Sequence, residues 1–322
     1  MQRNFNLKQY YDKRNLILVL RSQGGLGDIL MHRMIFEDIK ILMPDARVCF
    51  ACPQEFHEAV KDHPFIDDLL DSNNINPAEY VQICNTSSSC VRHEMAVAPF
   101  SDKHRSDIWA NYCGLELTKH EMHINLEQEI KDAAKNNVER YRNANGPAVL
   151  FTPISAMYNK NLNNMQITEV VKALRQRGCY VYSSHTGDIE ILSKLEVPIL
   201  QGGLKKWMGY VYAADYVISV DTSTFHMAGG IKKPLVGIFT FTDGKIYGKF
   251  YKFKLIQKHR DNGDWSCGPC YNWPACPKTD KNPKPCLTEI TSKMIMDGIE
   301  EMFKEWPLSQ LPLPQGEGLG TN

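Results

Sequence analysis

The sequence predicts an α/β protein in which two doubly wound domains, each a parallel sheet covered by helices, face one another across a cleft. Short apolar runs alternate with amphipathic segments along the chain, and this alternation stops near residue 145 and then starts again. Apolar runs of strand length that alternate with helices are typical of βαβ units. A chain of 322 residues is also long enough to form two hydrophobic cores.

In the first half, the apolar run at 16–22 is followed by glycines and predicts a buried parallel strand. Apolar periodicity then predicts, in order, a helix, a strand, a short helix and two strands at 29–42, 47–52, 56–62, 65–71 and 80–84. The pattern dissolves between 85 and 105, which predicts a long functional loop. A helix is predicted at 128–142, before the chain-breaking residues 143–147.

The second half repeats the alternation. Strands are predicted at 148–155, 179–184, 216–220 and 235–239, and helices at 166–177, 188–195, 205–214 and 225–231. A final amphipathic segment follows Cys286, and the last residues are rich in Pro and Gly without periodicity. These patterns predict a domain at 1–145, a second at 146–288 with a Cys-rich loop at 262–287, a helix at 289–306 and a disordered tail at 307–322.

The composition is that of an ordinary soluble protein. Lys and Arg together number 37, as do Asp and Glu, so the formal net charge is zero. Proteins that coat nucleic acids usually carry a basic excess, so there is no strong nucleic-acid signal. No apolar run approaches the roughly 18 residues that span a bilayer, and the N-terminal residues lack the apolar core of an export signal. We therefore expect a cytoplasmic protein.

A glycine turn, Gly24, Gly25 and Gly27, lies between the first predicted strand and the first predicted helix. Glycines there allow a tight turn and let a ligand approach the backbone. The turn lacks the Gly-Lys-Ser/Thr of a nucleoside-triphosphate loop and the third glycine of a dinucleotide fingerprint. Asp28 follows at the start of the helix, where it can either cap the helix or serve as a general base.

A second turn contains Asp221, Thr222, Ser223 and His226, between a predicted strand and a predicted helix. Ligands bind at the carboxyl ends of strands in such folds, and the N–H groups at a helix N-terminus favour phosphate. Each hydroxyl alone is more often a helix cap, and a single histidine is more often a packed one. Together these residues predict a site for a phosphorylated ligand.

These residues resemble glycosyltransferase family 9, the heptosyltransferase-like enzymes of bacterial surface-polysaccharide synthesis. The family pattern is Asp-Thr/Ser-Gly-x-x-His, small residues, Lys-Pro and a strand that ends in Phe; here it reads Asp221 to His226, Ala228-Gly229-Gly230, Lys233-Pro234 and Phe239. Gly27-Asp28 and residues 151–160 match two further family features. Ser223 replaces the usual Gly, and Asn161-Leu162-Asn163 replaces a common Trp-Pro.

The resemblance implies the GT-B arrangement, with a Rossmann-like acceptor-side domain and a Rossmann-like donor domain. It implies an inverting transfer, without a catalytic cofactor, from a nucleotide-sugar to an acceptor hydroxyl of a surface glycolipid or polysaccharide such as lipopolysaccharide. Asp28 then resembles the catalytic base, and Lys160 the cation beside the departing diphosphate. Ser155 resembles a phosphate contact, and the second turn resembles the donor site, with Asp221, Thr222, Ser223 and His226.

Other functions stay open on the sequence. The same donor chemistry could serve a nucleic-acid base or a protein acceptor, and a protein that lost turnover could act as a nucleotide-sugar sensor. Between Lys245 and Arg260, six basic residues alternate with aromatic ones. This stretch indicates either a solvated rim with buried aromatics or a surface for an anionic membrane, a phosphorylated glycolipid or a nucleic acid.

Four of the ten cysteines, Cys267, Cys270, Cys276 and Cys286, are concentrated in the Cys-rich loop. Four cysteines with one C-x-x-C pair have the ligand count of a structural tetrahedral zinc site. Two disulfides or four free thiols are the alternatives. Cys49 and Cys52 have the same spacing, but they fall on a predicted buried strand, where they serve as small apolar residues.

Overall fold

The computed structural model describes residues 16–80, 82–97, 101–142, 146–259, 267–271, 276, 278–281 and 283–311. Two parallel sheets organise this part of the chain. The first has four strands in the order β3-β2-β1-β4, and the second has five in the order β6-β5-β7-β8-β9. The predicted class, α/β with two Rossmann-like halves, is confirmed.

The N-terminal sheet consists of β1 (Leu16–Leu20), β2 (Arg47–Cys52), β3 (Asp68–Asp71) and β4 (Gln82–Asn85). In the register of the sheet, Leu18 lies beside Cys49 on one side and Ile83 on the other. Cys49 and Cys52 are buried and free, as predicted. Where a short helix was expected at 56–62, residues 54–59 form a 3₁₀ helix.

The helices of this half differ most from the prediction. The expected helix at 29–42 is α1 (Leu26–His32) and α2 (Phe36–Leu42), separated by a 3₁₀ turn at Arg33–Ile35. The predicted loop at 85–105 is wrong, because it contains α3 (Ser89–Val97). Only Ser89 and Cys90 of α3 are buried. The helix therefore needs no apolar residues at helical spacing, and its sequence does not show them. A further helix, α4 (Arg105–Tyr112), follows it.

The C-terminal sheet consists of β5 (Ala148–Thr152), β6 (Tyr180–Tyr182), β7 (Tyr216–Val220), β8 (Leu235–Ile238) and β9 (Lys254–Ile256). Its helices are α6 (Asn164–Gln176), α7 (Glu190–Lys194), α8 (Leu204–Ala213), α9 (Ser223–Gly230), α10 (Gly244–Tyr247), α11 (Pro285–Thr288) and α12 (Ser292–Glu305). One face of the sheet packs against α6 and α12, and the other against α8 and α9. The helix α5 (Gln128–Glu139) buries Ala134 and Val138 in the same cluster as α8.

The two halves meet where α1 approaches α9. A Cβ added to Gly27 would lie 3.1 Å from the Cδ2 atom of His226 and 3.7 Å from the Cα atom of Ser223. The carboxyl ends of β1 and β7 therefore open toward one crevice. No helix in the described ranges is long and apolar enough to cross a membrane. At the C-terminus, 308–310 form a 3₁₀ turn, and 312–322 lie outside the described residues.

Candidate active site

Asp28 lies in the first turn of α1, directly above the end of β1. Its carboxylate binds two guanidinium groups: Arg21 donates to Oδ2 at 3.1 Å and Arg105 to Oδ1 at 2.7 Å. Its side chain therefore does not act as the cap, and the N-cap position of α1 is Gly25, which has no side chain to act as one. Only 12% of the Asp28 side chain is exposed.

The two arginines were not predicted from the sequence, and each is held by other groups. Arg21 donates to the carbonyl oxygens of Thr86 and Ser87, both at 2.9 Å. Arg105 binds both oxygens of Glu94, at 2.9 and 3.0 Å. The predicted functional loop therefore does reach the site, through α3 and α4 rather than as a loop.

Arg105 and Glu94 also contact the other half of the molecule. The Arg105 guanidinium lies 5.2 Å from the ring centroid of Tyr247 in α10. The Tyr247 hydroxyl donates to Glu94 at 3.3 Å. A continuous chain of polar contacts thus runs from Asp28 on the first half to α10 on the second.

The charges of the arginines dominate the ionisation of Asp28. Burial alone would raise its pKa, but Arg105 and Arg21 outweigh burial and lower the pKa to about 2. At neutral pH the carboxylate is therefore fully ionised, as a proton acceptor must be. The same two cations make it a weak base until one of their contacts loosens.

On the C-terminal half, Asp221 directly follows β7 and is buried. It accepts a hydrogen bond of 2.6 Å from the Thr242 hydroxyl and an ion pair of 2.7 Å from the Lys160 ammonium. Burial would raise its pKa, but Lys160 and His226 outweigh burial and lower it. The predicted residues Lys160 and Asp221 are therefore in direct contact.

His226 faces the crevice from α9. Its Nε2 atom lies 4.0 Å from Asp221, and its Nδ1 atom 3.2 Å from the Tyr251 hydroxyl. Burial lowers its pKa to about 4, so the ring is neutral at pH 7. Asp28 contributes to the electrostatics of this ring, and the Gly27 backbone packs against it.

The remaining predicted hydroxyls lie around these charged groups. Thr222 occupies the N-cap position of α9 without a side-chain cap bond. Thr222 and Ser223 are half-buried, and within the described structure neither hydroxyl has a hydrogen-bond partner. Ser155 is bonded within its own loop, to the Met157 carbonyl and to Asn161 Oδ1. Of these three hydroxyls, those of Thr222 and Ser223 can bind a ligand without first breaking a hydrogen bond, whereas that of Ser155 cannot.

The loop after β8 was also missed by the sequence prediction. Gln257 donates to the carbonyl oxygens of Thr240 and Thr242 at 3.0 and 2.6 Å. It also accepts from the Gly244 amide at 3.0 Å. These bonds fix the loop that brings the Thr242 hydroxyl to Asp221.

Among the described residues, none of the four clustered cysteines forms a disulfide. Burial, together with the neighbouring thiols of Cys270, Cys276 and Cys267, raises the pKa of the Cys286 thiol to about 12, so the four sulfurs lie in one neighbourhood. Among the described side chains, no group of three or more His, Cys, Asp or Glu has the arrangement of a metal site. Parts of the loop at 260–266 and 272–275 lie outside the described residues.

The basic–aromatic stretch contains α10 and β9. Its aromatic residues Tyr251 and Phe253 pack on the core of the C-terminal half, and Lys252 and Lys254 pair with Glu305 at 2.8 and 2.6 Å. This part of the stretch is a solvated rim with buried aromatics, which was one of the two interpretations of the sequence.

Comparison with known proteins places this geometry in context. The sequence profile of glycosyltransferase family 9 (heptosyltransferase) matches residues 92–263, more than half of the chain. The match begins after the glycine turn, so it does not include Asp28. Comparison with curated proteins finds no match.

Among solved structures, the chain is similar to a family 9 glycosyltransferase from Veillonella parvula, with a TM-score of 0.69, 13% identity and coverage of 90% of this chain and 97% of that one. It is similar to the E. coli ADP-heptose lps heptosyltransferase II, with a TM-score of 0.66, 13% identity and coverage of 90% and 98%. The E. coli iron-containing dodecameric glycosyltransferase TibC gives a TM-score of 0.67, 15% identity and coverage of 91% and 77%. These similarities show a common fold.

Proposed function

Because this chain belongs to glycosyltransferase family 9 and is a glycosyltransferase, we propose that it moves a heptose-like sugar from a nucleotide-sugar to a hydroxyl of a surface glycolipid or polysaccharide. The observation that carries this proposal is the shared crevice. Asp28 on α1 and the Asp221–His226 turn meet across it, with Gly27 in contact with His226. An acceptor hydroxyl and a donor can therefore occupy one space.

The proposed reaction is a direct displacement with inversion. The acceptor oxygen forms a bond to the anomeric carbon as the bond from that carbon to the diphosphate oxygen breaks. The diphosphate leaves with the electron pair, and the acceptor proton passes to the Asp28 carboxylate. Arg21 and Arg105 keep Asp28 ionised and fix its orientation, since each binds one carboxylate oxygen.

The donor half supplies positive charge where the diphosphate leaves. Lys160, the hydroxyls of Thr222 and Ser223, and the amides at the start of α9 surround the end of β7. Developing negative charge is stabilised most by groups already in place. Because Asp221 neutralises Lys160 before the donor binds, the diphosphate must share this ammonium with the carboxylate. These residues supply the electrophilic assistance without a catalytic cofactor.

The donor and acceptor are proposed by analogy with similar structures. Two E. coli structures, WaaC and TibC, contain ADP-heptose derivatives or ADP-heptose, and heptosyltransferase II is named for its lps acceptor. We therefore propose ADP-heptose as the first donor to test, with a lipopolysaccharide-type acceptor. A glycolipid acceptor would place the enzyme at the inner membrane face as a peripheral protein.

We also propose a structural metal, zinc in the first instance, held by Cys267, Cys270, Cys276 and Cys286. The support is the proximity of the four thiols and the ligand count. Elemental analysis of protein purified without added metal tests this. About one metal per chain, lost when Cys267 and Cys270 are changed to Ser, is expected; a metal-free and fully folded protein would contradict it.

The function is tested with Asp28→Asn. ADP-, GDP- and UDP-sugars are first screened by thermal shift, since a ligand that binds the folded state raises its apparent stability. Nucleotide release is then measured with glycolipid and polysaccharide acceptors. Asp28→Asn should lose at least about 100-fold in turnover and keep donor binding, whereas Asp297→Asn, an exposed carboxylate paired with Lys293, should keep both. Wild-type protein that binds donors without turnover would indicate a sensor instead.

A further inference from the structure

A cluster of lysines surrounds one tyrosine on the donor half. The Nζ atoms of Lys131, Lys135 and Lys233 lie 5.1, 5.6 and 5.0 Å from the ring centroid of Tyr212. No two of these nitrogens can therefore be more than about 11 Å apart. All four side chains are half-buried, so water screens the charges less than it does on an open surface.

The arrangement concentrates like charge. An aromatic ring has two faces, so at least two of the three ammonium groups lie over the same face of Tyr212. These two groups repel each other. Lys131 and Lys135 are also four residues apart on α5, where like charges destabilise a helix. Cation–π attraction to Tyr212 offsets only part of this repulsion at partly exposed sites. An anion held between the lysines would remove the repulsion.

The nearby carboxylates are occupied elsewhere. Asp215 lies near Lys233, but its Oδ2 atom binds Arg142 at 3.1 Å and the Ala148 amide at 2.8 Å. Glu121 pairs with Lys232 at 3.1 Å. In the part of the chain that is described, neither Lys131 nor Lys135 has a carboxylate partner, and Lys233 donates to the Ala214 carbonyl.

A cavity of about 310 Å³ adjoins this cluster and shares Lys131 and Tyr212 with it; the rest of its lining includes Glu121, Lys232, Leu126 and Ile231. This volume is at the lower end of the range for small-molecule sites. It combines the Lys131 ammonium and the ion pair of Lys232 with Glu121 with apolar walls. Such a lining suits a small molecule with one phosphorylated end.

The cavity is separate from the active site. Its wall at Gly230 and Ile231 lies at the C-terminal end of α9, whereas the donor turn is at the N-terminal end. The eight residues of α9 span roughly 12 Å from one end of the helix to the other. A ligand in the cavity would contact the helix that carries His226 without entering the crevice.

We propose that Lys131, Lys135 and Lys233, grouped around Tyr212, form a binding site for the phosphate group of a small phosphorylated molecule. The ligand is defined by its oxyanion and by a size that fits the cavity. This site does not depend on the proposed sugar donor or acceptor.

Calorimetric titration with inorganic pyrophosphate at low ionic strength tests the site. The double variant Lys131→Gln/Lys135→Gln should lose one equivalent of bound pyrophosphate, or bind it at least 10-fold more weakly at that equivalent. The control is Lys172→Gln/Lys194→Gln. It removes the same net charge from α6 and α7, whose buried residues pack on the opposite face of the sheet, and should bind like the wild type.

Unchanged binding in the Lys131/Lys135 variant, or an equal loss in the control, would overturn the proposal. Pyrophosphate can also bind beside Lys160, in the proposed diphosphate site. If it does not bind there, the wild type and both double variants lack that equivalent alike, so this failure of the proposed function is distinguished from a failure of the lysine site. A second measurement needs no variant. Pyrophosphate should slow acetylation of Lys131 and Lys135 at least 3-fold in the wild type, and leave Lys172 unchanged. Equal acetylation with and without pyrophosphate would also count against the site.

Discussion

The partners of Asp28 set both the charge and the orientation of its carboxylate. Arg21 and Arg105 each bind one carboxylate oxygen, and together they lower the pKa to about 2 in spite of burial. Arg21 is fixed by two backbone carbonyls, whereas Arg105 is held by Glu94 and lies over Tyr247 of the other half. Arg105 is thus the partner whose position depends on how the halves meet.

Thr242 gives a test of the donor turn at the scale of one hydroxyl. Thr242→Val removes the hydrogen bond to the buried Asp221 carboxylate. The free energy of unfolding should therefore fall by about 1.5–3 kcal/mol. Donor affinity should fall as well, because Asp221 also holds Lys160. Urea denaturation and donor titration measure both effects.

The matched control is Thr152→Val. Thr152 is equally buried at the end of β5, and its hydroxyl has no partner within the described structure. Its removal should leave the stability unchanged or slightly higher. Equal losses in the two variants would show that the Thr242 bond contributes nothing specific.

Several site residues could be predicted from the sequence because they belong to local motifs. Asp28, Asp221 and His226 each lie within a turn whose neighbours identify it, and the structure brings these residues to one crevice. Arg105 could not be found in this way, because it reaches Asp28 from 77 positions away. Thr242 and Gln257 likewise act across a fold that no local pattern encodes.

At the scale of elements, the glycine turn makes different demands at its three positions. Gly24 has φ = +113°, and a Cβ there would lie 2.6 Å from both Arg21 Nη2 and Asp28 Oδ2. A Cβ on Gly27 would meet the His226 ring at 3.1 Å, while one on Gly25 would meet nothing within 4 Å. Only the first and third positions therefore require glycine.

Gly27→Ala should separate activity from stability. The added methyl group presses α1 away from His226, so turnover should fall by about 10-fold, since small misplacements of reacting groups are costly. Alanine is also the better helix former by about 1 kcal/mol, so thermal stability should not fall. Gly25→Ala should keep its turnover. A Gly27→Ala enzyme with full turnover would show that the approach of α1 to α9 does not matter for catalysis.

The departure Asn161-Leu162-Asn163 has a structural explanation at the start of α6. The Asn163 side chain caps the helix by accepting a hydrogen bond from the backbone amide of Gln166. In return, the Gln166 side chain accepts one from the backbone amide of Asn163. Asn161 accepts from the Ser155 amide at 2.7 Å. The two asparagines thus hold the loop that carries Lys160.

Asn163→Ala should lower the free energy of unfolding by about 1 kcal/mol, the usual cost of a lost N-cap. Asn164→Ala is the control, because Asn164 is exposed and its side chain makes no hydrogen bond in the described structure. It should change the stability by less than about 0.5 kcal/mol. Denaturant unfolding of both variants decides, and identical midpoints would contradict the capping role.

Element prediction succeeded where burial imposed a pattern. The bounds of β2 and β7 coincide with the predicted strands, because each is a continuous buried run. Helix α3 and strand β9 were missed for the opposite reason. Only two of the nine residues of α3 are buried, and only Ile256 of β9 is fully buried, so neither shows a period that the sequence could reveal.

At the scale of the whole molecule, four of the buried histidines in the described chain lie in environments that disfavour their charge. Burial lowers the pKa of His32 to about 3, of His63 to about 2 and of His226 to about 4, and it lowers the pKa of His104 as well. All four are at most 3% exposed. In the unfolded chain each of these histidines takes up a proton near pH 6.5, whereas in the folded chain it does not. The stability that the four neutral rings contribute is therefore complete above about pH 6.5 and is lost as the pH falls.

Between pH 7.5 and 5.5 each of these histidines should therefore remove about 1.4 kcal/mol of stability, about 5 kcal/mol together. The loss is comparable with the whole stability of many domains. Urea denaturation at the two pH values measures it, and calorimetry in buffers of different ionisation heat should find about three to four protons taken up on unfolding at pH 5.5. His226→Asn should take up about one proton fewer, and Lys172→Gln the same number as the wild type. Stability that stays level down to pH 5.5 would mean that these rings already carry protons in the folded protein, and that His226 meets the donor as a cation.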